Sequence, residues 1–442
     1  MTAHTIQKFV SVQEAMENAQ KQKKVAVRGW VYRERGSNAM KFIVLRDSSN
    51  IIQCVLEKKN FEKQWGDIDK IKIESSVEMF GEIKEDKRAP TGYEIAVDKI
   101  NIIQIADDFP IGKDLNEELL GDRRHLWLRS RKMSAILKIR STVFNAIHEY
   151  FRKNNFYEYH SPIFQSVQAE GGATLFGVNY FDKKGVFLAQ TWQLYAEPAI
   201  FSLEKIYTIA PCFRAEESRT SRHLTEFWMN EMEVAWANFE DIQNYGEGLL
   251  KNIVKRVLED NKPELEILER DIKKLEPTVK KKFPRITYDD ALKLLKDKFK
   301  IEIPWGKDLR TIEEDKLSEL YDTPVIITRY PKEVKAFYMK EPDDSNPKKP
   351  VVNGCDFIAP EHYGEIIGGS ERESDIKKIE HRLKEEGEKL DQYNFYLDTR
   401  RYGSIPHGGF GMGVERVISW ICGLSTIKDA IPFPRTMTRI SP

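Results

Sequence analysis

The chain has 442 residues, and its 70 Lys and Arg are matched by 70 Asp and Glu, giving a formal net charge of zero. That length accommodates two or three domains, and a composition of 40% hydrophobic and 32% charged residues is that of an ordinary soluble protein. Nucleic-acid binding through an overall basic excess is excluded, which leaves local basic patches, and no segment reaches the ~20 apolar residues of a membrane helix.

The N-terminal MTAHTIQKFVSVQEAM has no long apolar stretch and no cleavage-like site. The next hundred residues read as five short alternating strands: VAVRGWVYRER (25–35), KFIVLRD (41–47), IIQCVLE (51–57), SVEMFGEIKE (76–85) and YEIAVDKINIIQIA (93–106). Turn signals separate them, and five strands at that spacing suit a small Greek-key barrel of the OB type. Residues 107–123 carry Pro110, Gly112 and Gly121 and read as a hinge. The expected organisation is a barrel over 1–106, a linker over 107–130 and a second domain over 131–442, with an α+β fold class. The four cysteines, Cys54, Cys212, Cys355 and Cys422, form no C-x-x-C pair. They are expected to be core residues of a cytoplasmic protein in a reducing compartment.

From Arg131 the residues Ile136, Ile139, Val143, Ala146 and Ile147 predict a long helix with one apolar stripe, extended by Tyr150 and Phe151. It runs into FYEYHSPIF (156–164). Further on, FRAEESRTSRHLTEF (213–227) holds Arg214 and Glu216 before a loop, 218–222, with no apolar residue; this is a hairpin loop suited to closing over phosphates. In EFWMNEMEVAW (226–236) a strand would put Phe227, Met229, Glu231 and Glu233 on one face. Trp228, Met232, Val234 and Trp236 would form a core face on the other. Residues 255–282 read as a charged, solvated helical stretch, 364–372 as a strand, and 375–390 as a charged amphipathic helix. In GGFGMGVERV (408–417) the glycines 409, 411 and 413 alternate, so one strand face lacks side chains and a flat ring can approach the backbone. A helix then buries Val414, Val417, Trp420 and Ile421 and leaves Arg416 off that stripe. GGFGMG has neither the lysine of a P-loop nor G-x-G-x-x-G spacing.

The segment 213–227 resembles motif 2 of class II aminoacyl-tRNA synthetases, 408–417 resembles their motif 3, and the helix, strand and Pro162 resemble motif 1. An OB barrel before these motifs resembles the subgroup that activates aspartate, asparagine and lysine. EGGATLF, YGEIIGGSERE and YGSIPHGGFGMGVER look closest to asparaginyl-tRNA synthetases of the compact, archaeal-like form. The resemblance implies a homodimer that converts ATP and L-asparagine to asparaginyl-adenylate and passes the asparaginyl group to tRNA(Asn). It implies Arg214, Arg372 and Arg416 as catalytic residues. ATP would be held by Arg214, Glu216, Arg222, His223, Phe227, Glu365 and Arg416, with Phe227 and Arg416 on opposite faces of adenine. Asp356 and Glu365 would hold Mg²⁺. The amino-acid pocket would use Glu170, Gln190, Thr191, Gln193, Glu231 and Arg372. Phe42 would stack on the middle anticodon base and Gln53 would hydrogen-bond it. The rival is an aspartyl-tRNA synthetase, including one serving both tRNAs. Aspartate enzymes resembling this chain carry lysine at the position of Ala196 and aspartate at that of Glu231. A tRNA-independent asparagine synthetase is a second rival; those relatives lack the barrel. No membrane association is expected.

Overall fold

The computed structural model describes residues 8–112, 116–169, 175–217 and 222–442. The chain divides into two compact units, Met1–Leu120 and Gly121–Pro442.

In the first unit, strands β1 (Lys24–Gly36), β2 (Met40–Arg46), β3 (Ile51–Glu57), β4 (Ser76–Glu85) and β5 (Tyr93–Gln104) close a barrel in the order β1-β2-β3-β5-β4. Alternation drives the closure. Val27, Val31, Ile43, Leu45, Ile52, Cys54, Val77, Met79, Ile95 and Val97 point inward and form one core. Where strands cross closely, glycine is required: a Cβ on Gly29 would collide with the Arg46 carbonyl, and one on Gly81 with that of Ala96.

The second unit is built on an eight-stranded, mainly antiparallel sheet. Its strands are β6 (Tyr157–Glu158), β9 (Lys205–Phe213), β10 (Glu226–Ala235), β11 (Arg285–Thr287), β12 (Val325–Thr328), β13 (Gly354–Ala359), β14 (Gly364–Glu371) and β15 (His407–Gly413). A separate pair, β7 (Phe164–Gln165) and β8 (Phe187–Leu188), lies between β6 and β9 in sequence. The order β11-β12-β13-β14-β15-β10-β9-β6 puts β10, β14 and β15 at the centre. One face packs on the helices Arg131–Lys153 and Phe239–Asp260, whose Ile136, Ile139, Val143, Leu249 and Ile253 are fully buried with Met232 and Met412 of the sheet. The other face is left for a cleft. Together the units make the expected OB barrel followed by an α+β domain. Among the described residues, no helix is long and apolar enough to cross a membrane, and all four cysteines are buried.

Two expectations need correction. Trp236 does not join the core face of β10: the strand ends at Ala235, Trp236 takes φ 59°, and its side chain is 67% exposed. The stretch 255–282 is not one solvated helix. It breaks at Asn261, and Leu265 and Leu275 are fully buried.

Candidate active site

The register of three central strands builds the cleft floor. Met229, Glu231 and Glu233 of β10 lie opposite Gly413, Gly411 and Gly409 of β15, and Gly411 in turn lies opposite Gly368 of β14. The glycine row leaves room for the acidic side chains beside it. A Cβ on Gly409 would collide with the Glu233 carboxylate, and one on Gly368 would sit 2.8 Å from Glu365 Oε1.

One recess of ≈ 100 Å³ is lined by Arg214, Glu216, Arg222, His223, Phe227, Glu365 and Arg416. These are the seven residues expected to hold ATP. Arg214 follows β9, and its guanidinium carbon lies 5.4 Å from the Phe227 ring centre. The helix Val414–Cys422 buries Val414, Val417, Trp420 and Ile421 completely, so Arg416 is turned toward the cleft. Its Nη1 donates to the Glu365 carbonyl at 2.8 Å. His223 Nε2 is 3.7 Å from Glu216. Burial and the charge of Arg416 push the His223 imidazole below its ordinary value, against the pull of Glu216. Arg222 pairs with Asp315 at 2.7 Å and donates to the His362 carbonyl. Residues 218–221 of the polar loop lie outside the described residues.

Beside this recess three carboxylates gather. Asp356 of β13 and Glu365 of β14 both reach over Gly368, at 3.7 and 2.8 Å from where its Cβ would be. Glu314, from the helix Thr311–Ser318, accepts the Glu365 backbone N–H at 3.3 Å. Burial, then Glu365, then Asp356 push the Glu314 carboxyl up to about 8. Burial pushes Asp356 up to about 6; Lys335, whose ammonium bonds it at 2.7 Å, opposes this and Glu365 adds to it. Like charges in a poorly solvated corner favour a bound cation. Among the described residues no group of three or more His, Cys, Asp or Glu side chains is arranged to hold a metal ion. Two or so carboxylates completed by phosphate oxygens and water are what Mg²⁺ commonly takes, so the donor set fits that ion.

A second recess of ≈ 460 Å³ shares Arg214, Met229, Glu365 and Gly411 with the first, so the two are continuous. Thr191, Gln193, Glu231, Tyr338 and Arg372 line it. Glu231 accepts the Trp192 N–H at 2.9 Å and the Thr191 hydroxyl. Arg372 is fixed on three sides: Nη1 donates to Ser370 Oγ at 2.6 Å, Nε to Glu233 at 3.2 Å, and the guanidinium lies 5.0 Å over the Tyr338 ring. Gln190 is buried just before Thr191 and is not among the described lining residues. Glu170 lies outside the described residues. Ala196 is fully buried among Trp192, Ile200 and Ile206.

Sequence reasoning assigned no role to Glu233, Glu314, Lys335 or Tyr338. Glu233 did carry a signal, since alternation put it on the face of Glu231. The others come from segments with no motif.

In the barrel, Ile43 is fully buried and points inward, so Phe42 faces outward, with the Arg35 guanidinium 5.0 Å over its ring. Gln53 is buried one strand away, and its Nε2 donates to Glu94 at 2.8 Å.

Comparison with known proteins agrees with this geometry. Residues 116–437 match the family of class II tRNA synthetases (D, K and N), and 25–103 match the OB-fold nucleic acid binding domain. The asparagine–tRNA ligase of Thermoplasma acidophilum is 46% identical, over 98% of this chain and 100% of that protein. That of Thermococcus kodakarensis is 48% identical, over 95% and 96%. The crystal structure of asparaginyl-tRNA synthetase from Pyrococcus horikoshii complexed with asparaginyl-adenylate superposes with a TM-score of 0.93. It is 44% identical, over 98% of this chain and 100% of that one.

Proposed function

The chain belongs to the class II tRNA synthetases of the D, K and N group, within it to the asparagine–tRNA ligases, and we propose that it attaches asparagine to tRNA(Asn) with ATP. One observation carries this reading beside the family: a recess with three arginines, an aromatic plane and a glycine-lined floor opens directly into one with Gln193, Glu231 and Arg372.

The α-carboxylate of asparagine attacks the α-phosphorus of ATP, the bond to the β-phosphate oxygen breaks, and pyrophosphate leaves. A hydroxyl of the terminal adenosine of tRNA then attacks the adenylate carbonyl, and AMP leaves. The attacking carboxylate is already a nucleophile, so the protein supplies position and charge rather than a base. Arg214, common to both recesses, neutralises the reacting carboxylate and α-phosphate. Phe227 and Arg416 hold adenine, and Glu216 accepts from its amino group. Arg222 and His223 face the outer phosphates, which would exchange the Arg222 contact with Asp315 for one with ATP. Asp356 and Glu365 would hold Mg²⁺, which when bound offsets the triphosphate charge. Gln193, with Glu170, receives the α-ammonium, and Arg372 and Glu231 meet the side-chain amide.

Phe42 offers the anticodon loop a stacking platform and Gln53 its free carbonyl oxygen. A homodimer is supported by a contiguous exposed apolar surface near the residues resembling motif 1. Phe164 is 52% and Phe181 91% exposed, and Tyr180 links them through ring centres 5.5 and 5.0 Å away. A cytoplasmic location goes with the work of charging tRNA. Exchange of labelled pyrophosphate into ATP tests the first step. It should require asparagine and be abolished in Arg214→Ala; exchange that ignores asparagine would refute the reading.

A further inference from the structure

Gln193 opens the helix Gln193–Leu203 and Glu197 lies one turn on, so the two share a face. Gln193 Nε2 donates to Glu197 Oε1 at 2.9 Å. A side-chain amide has one NH₂ donor and one acceptor oxygen. With the NH₂ committed to a carboxylate, the oxygen is what remains for the cleft that Gln193 lines. The opposite flip would set the amide oxygen against carboxylate oxygens.

Glu197 is itself immobilised. It is fully buried, and beside Gln193 it accepts from Tyr396 Oη at 3.1 Å and Arg400 Nη2 at 2.7 Å, with His407 Nε2 3.0 Å away. Arg400 is anchored in turn, donating to the Glu373 carbonyl at 3.1 Å and to Tyr396 Oη at 2.9 Å. Burial opposes ionisation of Glu197, but Arg400 and His407 outweigh it and hold the carboxyl well below the usual range. The carboxylate therefore ties the helix Gln193–Leu203 to the helix Asn394–Arg401 and to β15, and leaves the Gln193 amide one orientation.

We propose that Glu197 is a positioning residue that fixes the Gln193 amide with its carbonyl oxygen toward the α-ammonium of the bound amino acid. This rests on the reading of the second recess as the asparagine pocket. It has a distinctive consequence. Glu231 and Arg372 act on the side chain, so they separate asparagine from aspartate. Glu197 acts on the α-amino end, which every amino acid shares.

The test compares L-asparagine with succinamate, the same molecule with hydrogen in place of the α-ammonium, titrated calorimetrically into the full chain. Wild type should prefer asparagine by about tenfold or more, as expected for hydrogen bonds to a charged group. Glu197→Gln should weaken asparagine by about tenfold, leave succinamate within about threefold and so close most of the gap. The KM for ATP should not change. Because Glu197→Gln leaves Arg400 buried beside a neutral amide, Glu197→Gln/Arg400→Met removes both charges and should close the gap equally. An undiminished gap in either folded variant overturns the proposal. Gln193→Ala distinguishes the two levels. If it closes the gap while the Glu197 variants do not, only the positioning role falls. If wild type binds no asparagine, or Gln193→Ala leaves the gap intact, the pocket reading falls.

Discussion

Arg372 is ion-paired with Glu233, the residue one strand repeat beyond Glu231 on the same face of β10. Both partners are almost fully buried. The charge of Arg372 is therefore already matched by Glu233, and the Glu231 carboxyl, which accepts the Trp192 N–H and the Thr191 hydroxyl, lines the same recess. A neutral amide can enter without adding charge, whereas an aspartate carboxylate would bring a buried charge beside Glu231 while Arg372 is already committed to Glu233. Selection of asparagine then follows from charge balance as well as from hydrogen-bond direction.

Glu233→Gln should release the charge of Arg372 for an aspartate carboxylate. The preference for asparagine in kcat/KM of ATP–pyrophosphate exchange should fall by about tenfold or more. Glu231→Gln should act in the same direction and also reduce asparagine use, because an amide facing the substrate NH₂ must present its oxygen to keep the bond. A preference left intact in both variants would remove charge balance as the cause.

The same pair gives the preference a pH dependence. Burial, with Glu197 and Glu231 adding, pushes Glu233 up to about 7 against the pull of Arg372. Below that pH the carboxyl takes a proton and Arg372 is no longer matched. Discrimination against aspartate, read from the exchange assay, should shrink as pH falls from about 8 to about 6. A ratio constant over that range would contradict the assignment.

Glu314 makes a stability prediction. Its folded-state carboxyl is raised to about 8, above the ordinary glutamate value. A raised acid contributes stability that is present below the unfolded pKa and lost as pH rises through the folded one. In metal-free buffer wild type should therefore lose stability between about pH 4.5 and 8 more steeply than Glu314→Gln. The variant should melt several degrees higher at pH 8.5. Equal Tm profiles would show that Glu314 does not repel Glu365 and Asp356.

The barrel makes an independent prediction. Phe42→Ala should weaken tRNA binding by ~1–3 kcal/mol, the worth of one base-stacking platform, with amino-acid activation unchanged. Since Ile43, not Phe42, is the inward residue, a collapse of activation along with tRNA binding would be unexpected.

Much of this site could be read from local pattern. Alternation separates Phe42 from Ile43 and puts Glu231 and Glu233 on one face, because strand periodicity is a property of neighbours in sequence. The spacing of Gly409, Gly411 and Gly413 marks a side-chain-free strand face for the same reason. Which carboxylate meets Arg372 was not legible, because it depends on register: Gly409 of β15 lies between Glu233 of β10 and Ser370 of β14. Glu314 and Lys335 come from segments with no motif, and only the fold carries them to Glu365 and Asp356. Trp236 misled because alternation does not announce where a strand ends.

The central claim is that this chain charges tRNA(Asn) with asparagine and not aspartate. Incubating the protein with ATP, Mg²⁺, tRNA and either labelled amino acid tests it most directly. Asparaginyl-tRNA should form at a catalytic rate with asparagine, and aspartate should give no acid-precipitable product above background. Aspartyl-tRNA formed at a rate comparable to asparaginyl-tRNA would contradict the account and favour an aspartyl enzyme serving both tRNAs.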